Sequence, residues 1–210
     1  MWVVKLGGSL MHSPELLGWL AMLADAGKGR VVVVPGGGPF ADQVRRAQAR
    51  RRLHDLSAHR LALKATEKYG LWLTRQCAGL VPASDFHAVH RCLRAGQVPV
   101  WMADHAVSRE PGVPATWDVT SDSLAAWCSA RLAATDLVLV KSIPALPPRM
   151  AMAQMCAAGI VDRAFSGFVP PQLSVWVCSK RRYRACGDAL QTGTTPGTAV
   201  DRDRPNAGAV

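Results

Sequence analysis

"VVKLGGSL" (residues 3–10) and "VVVVPGGGPF" (residues 31–40) decide how this chain is read. Each is a Val-rich run that stops at glycines. A short, continuous apolar run of this kind fits a strand covered on both faces. Glycine after a strand permits positive φ and lets backbone N–H groups come close to a ligand. Several such groups ahead of a helix N-terminus make an anion site. One turn of this sort is equally well a tight strand-to-helix corner. Two of them, the first with Lys5 at its strand end, point to two phosphate cradles, Gly7-Gly8-Ser9 and Gly36-Gly37-Gly38.

Working outward, the spacing predicts strands over 2–6, 31–34, 98–102, 137–140 and 173–178. Helices are predicted over 14–26, 39–52, 58–77, 86–95 and 121–134. The first has Leu16, Leu17, Leu20 and Leu23 at helical spacing, with Ser13 as N-cap and Pro14 at the first helical position. Residues 105–118 read as a Pro- and Gly-rich loop. Apolar strands alternating with helices predict an α/β fold, a three-layer αβα sandwich around a mainly parallel sheet. We expect one domain over 1–200 and a flexible tail over 201–210. In such sheets ligands sit outside the carboxyl ends of the strands, where both glycine turns lie.

Composition narrows the function. With 49% hydrophobic and 19% charged residues over 210 positions, the chain reads as an ordinary globular domain. No apolar run reaches the roughly 18–20 residues of a membrane span. Lys5 and two glycines interrupt the N-terminus, so no secretory signal is read. The six cysteines form no C-x-x-C pair and are expected to be reduced, buried thiols in a cytoplasmic protein. Ligands are not clustered, so no metal site is expected. The net charge of +10 suits anionic partners. Arg45, Arg46, Arg50, Arg51 and Arg52 spread around a helix and read as a solvated helix end, not as a nucleic-acid surface. Small phosphorylated molecules are the expected partners, with neither nucleic acid nor membrane.

The third segment is "TWDVTSDSLAAW" (residues 116–127), where a loop becomes a helix. Ser121 as N-cap and Asp122 as a first-turn acid explain it structurally. A carboxylate beside two cradles would also hold lysines in register or coordinate a nucleotide's magnesium. Trp117 beside Asp118 suggests a clamp for a ring-bearing amine, with the ring stacking and the carboxylate pairing with the ammonium. The alternative is a tryptophan that plugs the core beneath the loop. Gly36 to Ala41, with Asp55 further on, also fits the dinucleotide fingerprint G-x-G-x-x-A. That reading, an oxidoreductase, leaves Lys5 and residues 117–123 unexplained.

Taken in order, Lys5-Leu6-Gly7-Gly8-Ser9, Pro35-Gly36-Gly37-Gly38 and Thr120-Ser121-Asp122 resemble the motifs of the amino acid kinase family. "ALQTGTTPGTAV" (189–200) is similar to the family's closing strand. Within the family the likeness is strongest to the methanofuran-biosynthesis type, which phosphorylates an (aminomethyl)furanyl-methyl phosphate to its diphosphate. The resemblance implies a carbamate kinase-like fold, ATP with Mg2+, a small anionic acceptor and a homo-oligomer. It implies that Lys5 contacts the transferring phosphoryl group. Gly7, Gly8 and Ser9 would cradle the ATP phosphates, and Gly36, Gly37 and Gly38 would hold the acceptor. Asp122 would orient the catalytic lysines, with Thr120 and Ser121 near the acceptor's phosphate. Two departures stand out. After the strand at 137–140 the chain reads Lys141-Ser142-Ile143-Pro144, and the late Gly-Gly-Met…Lys loop of acetylglutamate-type kinases is missing. Lys141 is taken as the second phosphate-binding lysine, with Lys180 and Arg181 as other cations. The altered segment keeps open a non-catalytic relative that binds or stores ATP.

Overall fold

The computed structural model describes residues 1–144 and 146–202. In chain order it runs β1 (Trp2–Leu6), α1 (Leu16–Ala26), β2 (Val31–Pro35), α2 (Gly38–Arg51), α3 (Asp55–Gln76), β3 (Leu80–Ala83), α4 (Phe86–Arg94) and β4 (Val98–Trp101). It continues through α5 (Asp104–Val107), α6 (Ser121–Arg131), β5 (Asp136–Lys141), β6 (Arg149–Ala151) and α7 (Met152–Ala157). It closes with α8 (Phe165–Phe168), β7 (Ser174–Ser179), α9 (Tyr183–Thr192) and β8 (Thr198–Asp201). The strands form one sheet in the order β3-β4-β2-β1-β5-β7-β8-β6. Every pairing is parallel except β7 with β8.

The valine runs become central strands because they can be buried on both faces. Successive side chains of a strand point to opposite faces. Val3, Val32, Leu137 and Leu139 accordingly join one core with Leu124, Cys128 and Phe165 of α6 and α8. Val4, Leu6, Val33, Val138 and Val140 join the other with Leu20, Leu23, Tyr69, Leu73 and Leu190 of α1, α3 and α9. This is the expected α/β sandwich with a mainly parallel sheet.

The departures from the predicted elements lie at boundaries and edges. β3 and β6 are short edge strands, and Pro82 sits in β3, where an edge strand accommodates the missing N–H. α1 begins at Leu16, not Pro14, because Ser13 Oγ is turned to the Glu15 carboxylate and does not cap the helix. A short helix, α5, opens the predicted loop at 105–118. α9 is not legible as a helix, since its buried face is made of Cys186, Gly187, Ala189 and Leu190 among arginines. β8 runs to Asp201, which pairs with Arg149, and so enters the first position of the predicted tail. Residues 203–210 of that tail lie outside the described residues.

The dinucleotide reading is overturned by connectivity. That fingerprint belongs to a βαβ unit in which the acidic residue follows a second strand. Here α2 is followed directly by α3, and Asp55 is that helix's first residue. Among the described residues no helix is long and apolar enough to cross a membrane.

Candidate active site

The two glycine turns touch backbone to backbone. Gly36 N–H donates to the Leu6 carbonyl at 2.8 Å, tying the end of β2 to the end of β1. A Cβ on Gly8 would stand 2.1 Å from both N and Cα of Gly38. A Cβ on Gly36 would stand 2.7 Å from Gly8 N. Gly38 also holds φ +54°, a conformation that favours glycine. The end of β5 joins them, where Ser9 Oγ and Ser142 Oγ lie 3.0 Å apart. Three strand ends thus meet at one place.

At that place Asp122 bridges two lysines. It sits in the first turn of α6 and is 4% exposed. Its Oδ1 is 2.9 Å from Lys5 Nζ and its Oδ2 is 2.6 Å from Lys141 Nζ. β1 and β5 are parallel neighbours with Leu6 opposite Val140, so both lysines leave adjacent strand ends on the same side of the fold. Burial alone would raise the Asp122 carboxyl, but Lys5 and Lys141 outweigh it and hold its pKa below the usual carboxylate value. Lys141 is pushed down to about 8, by burial first and then by the charge of Lys5, with Asp122 and Asp162 pulling the other way. Lys180 and Arg181 are engaged elsewhere, at 3.7 and 3.9 Å from the Glu15 carboxylate. Lys141 is thus the one of these three cations that shares Asp122 with Lys5.

Next to this triad opens a cavity of about 410 Å³. Gly8, Ser9, Gly37, Gly38, Thr120 and Ser121, from the turns that carry the triad, are among its lining residues. Gly7 and Gly36 do not reach its wall; Gly36 is the packing glycine beneath it. Trp117 lines the cavity and does not plug the core. Its Nε1 donates to Gln48 Oε1 at 2.5 Å, and the Arg45 guanidinium lies 4.4 Å from its ring centroid. Asp118 is not brought in: its side chain is 59% exposed and faces Arg163 at 3.9 Å. The carboxylates on the cavity wall are instead Asp42 and Asp55, and Gln48, which accepts from Trp117, donates its Nε2 to Asp55 Oδ1 at 2.8 Å.

Four participants are not readable from sequence. Arg45 leaves the solvated-helix description because it stacks on Trp117. His12 and His59 also line the cavity, and burial keeps the His59 imidazole below its ordinary pKa against the pull of Asp104. Asp162, from the loop before α8, accepts from Thr120 N at 2.9 Å, Thr120 Oγ1 at 2.7 Å and Ser123 N at 3.1 Å, and also from Ser123 Oγ. Both donors of Thr120 are thus committed to Asp162, while Ser121 lines the cavity beside it.

Residues 1–147 match the amino acid kinase family. The chain belongs to the amino acid kinase family. Over 145 residues, 68% of the chain, it is 25% identical to the [5-(aminomethyl)furan-3-yl]methyl phosphate kinase of Methanocaldococcus jannaschii, and that match spans 66% of the relative's own length. Its fold is similar to solved uridylate kinases of this kinase fold. With the Archaeoglobus fulgidus enzyme the TM-score is 0.70 at 15% identity, covering 95% of this chain and 97% of the other. With the Bacillus anthracis UMP kinase it is 0.72 at 14% identity, covering 97% and 96%. The amino acid kinase fold therefore extends past residue 147 to the closing strand β8.

Proposed function

We propose that this amino acid kinase family member transfers the γ-phosphoryl group of ATP to a phosphate monoester and releases a diphosphate and ADP. The observation that carries the reading is the buried Asp122 carboxylate bridging Lys5 and Lys141 at the seam of two glycine turns. Phosphoryl transfer asks little covalent help of a protein; it asks for in-line placement and positive charge on the transferring oxygens. An oxygen of the acceptor phosphate forms the new bond to the γ-phosphorus. The bond from that phosphorus to the bridging oxygen breaks, and ADP leaves with the electron pair. Lys5 and Lys141 face the charge that spreads over the transferred group, and preset N–H dipoles add to them without reorganising. The acceptor is already an anion, so no general base is required.

The site's residues fit this division of labour. Gly7, Gly8 and Ser9 form the nucleotide's turn, beside Lys141. Gly37, Gly38 and Ser121 form the acceptor's end of the cavity. Both oxygens of Asp122 face lysines, and among the described residues no group of three or more His, Cys, Asp or Glu is placed to hold a metal. Magnesium in this reading arrives on the nucleotide phosphates and neutralises them there. The M. jannaschii relative's name points to (aminomethyl)furanyl-methyl phosphate as the acceptor. Trp117 suits the ring, and Asp55 takes the place expected of Asp118 near the amine. A cytoplasmic setting and a homo-oligomer belong to the same reading. α3 exposes Leu56, Leu61 and Leu71, and light scattering of the purified chain would return a monomer mass if that face is not used.

The test is ADP release and diphosphate formation with this acceptor, with uridine monophosphate as comparison. Lys5→Ala should lower turnover by about 10²–10³-fold, the usual loss for one electrostatic stabiliser, with an unchanged circular dichroism spectrum. Nucleotide binding without ADP release would favour the storage alternative. Wild-type turnover in Lys5→Ala would remove Lys5 from the mechanism.

A further inference from the structure

We propose that Asp162 is a positioning residue for the Lys5–Asp122–Lys141 triad. The proposal rests on reading that triad as the transfer centre.

Asp162 lies 42 residues after Thr120 in the chain, and its carboxylate is directed to α6 and not to the lysines. Its carboxylate instead grips the N-terminal turn of α6 on both sides of Asp122. Oδ2 accepts from Thr120 N, Thr120 Oγ1 and Ser123 N, while Oδ1 accepts from Ser123 Oγ. A helix start leaves backbone N–H groups without intrahelical partners, and a capping side chain normally comes from the Ncap residue itself. Thr120 occupies that position, yet its side chain makes no cap bond within the helix. The cap is supplied from a different segment. The chain around Asp162 is anchored in turn, since Ala164 N–H donates to the Asp118 carbonyl at 3.1 Å and Phe165 is fully buried.

The consequence is geometric. Asp122 stands between the two gripped residues, so its rotation about the helix axis is fixed from outside the helix. A carboxylate that must meet Lys5 at 2.9 Å and Lys141 at 2.6 Å tolerates little rotation. The charged groups that act on Lys141 are Lys5, Asp122 and Asp162 itself. Charge and placement must therefore be separated in the test.

The probe is the pH dependence of lysine acetylation by an amine-reactive acetyl ester, read at Lys141 by peptide mass spectrometry, alongside turnover. A neutral amine reacts and an ammonium does not. Asp162→Asn removes the charge and weakens the grip. The double variant Thr120→Val with Ser123→Ala keeps the charge and removes the two hydroxyl bonds. In both, Lys141 should become reactive at lower pH than in the wild type. Turnover should fall by up to about 10²-fold, as expected when reacting groups are displaced by about an ångström, and the KM for ATP should change less. A double variant whose Lys141 profile matches the wild type overturns the proposal, whatever its melting temperature. Should the wild type transfer no phosphoryl group at all while the profiles still shift, positioning stands and the kinase reading fails.

Discussion

At the scale of single residues, the account turns on two amines and one carboxylate. Lys141 carries the clearest signature. Its ammonium is the form that attracts phosphate, and its pKa is pushed down to about 8. The charged form is complete below that pH and is lost above it. The ATP dependence of kcat/KM should therefore fall through about pH 8, and Lys141→Arg, which stays charged, should flatten that alkaline limb. An unchanged limb in Lys141→Arg would assign the titration to another group. Trp117 supplies the second prediction. Trp117→Ala opens the cavity wall and releases Gln48 and Arg45, so the KM for the acceptor should rise far more than the KM for ATP. Equal rises would mark a packing role. Lys5, Asp122 and Trp117 were legible because they sit within or beside glycine and helix-start motifs. Asp118 misled because adjacency in sequence does not decide which way a loop residue turns; its exposed carboxylate faces Arg163, while Asp55, from another helix, lines the cavity with Trp117. Asp162 carried no local signal, since a cap delivered from a distant loop leaves no spacing to read.

At the scale of elements, the glycine turns are two halves of one structure. Their glycines are needed first for contact with each other, and the proposed function adds contact with a ligand. A Cβ on Gly8 would stand 2.1 Å from Gly38 backbone atoms, and backbone cannot swing aside as a side chain can. Gly8→Ala should cost about 1–3 kcal/mol, the range for overpacking, and should weaken ATP and acceptor together because both cradles move. Gly167→Ala is the control: nothing lies within 4 Å of its Cβ position, and it sits inside α8. Calorimetry should find it neutral or more stable by a few tenths of a kcal/mol up to about 1. Equal losses in the two variants would mean that the turns are not in the tight contact described. The central strands were legible because they are buried on both faces and so are apolar without interruption. The edge strands β3 and β6 were not, being three or four residues long and partly exposed. α9 escaped because it packs on α1 through small residues; a Cβ on Gly187 would stand 2.8 Å from Met22.

At the scale of the whole molecule, a parallel sheet delivers the ends of β1, β2 and β5 side by side, although β3 and β4 come before β5 in the chain. The glycine turn, the second glycine turn and Lys141 are brought together by strand order alone, and α6 adds the acid that holds the lysines apart from solvent. The chain's net charge of +10 suits the two polyanions that the proposed reaction brings together. The central claim is that both phosphorylated molecules meet at this seam. A crystal structure with a non-hydrolysable ATP analogue and a phosphate monoester tests it most directly. It should place the nucleotide phosphates on Gly7 to Ser9, the γ-phosphate between Lys5 and Lys141, and the acceptor in the cavity lined by Trp117. A nucleotide bound away from Lys5 and Lys141, or with its base against Trp117 where the acceptor is expected, would contradict the account.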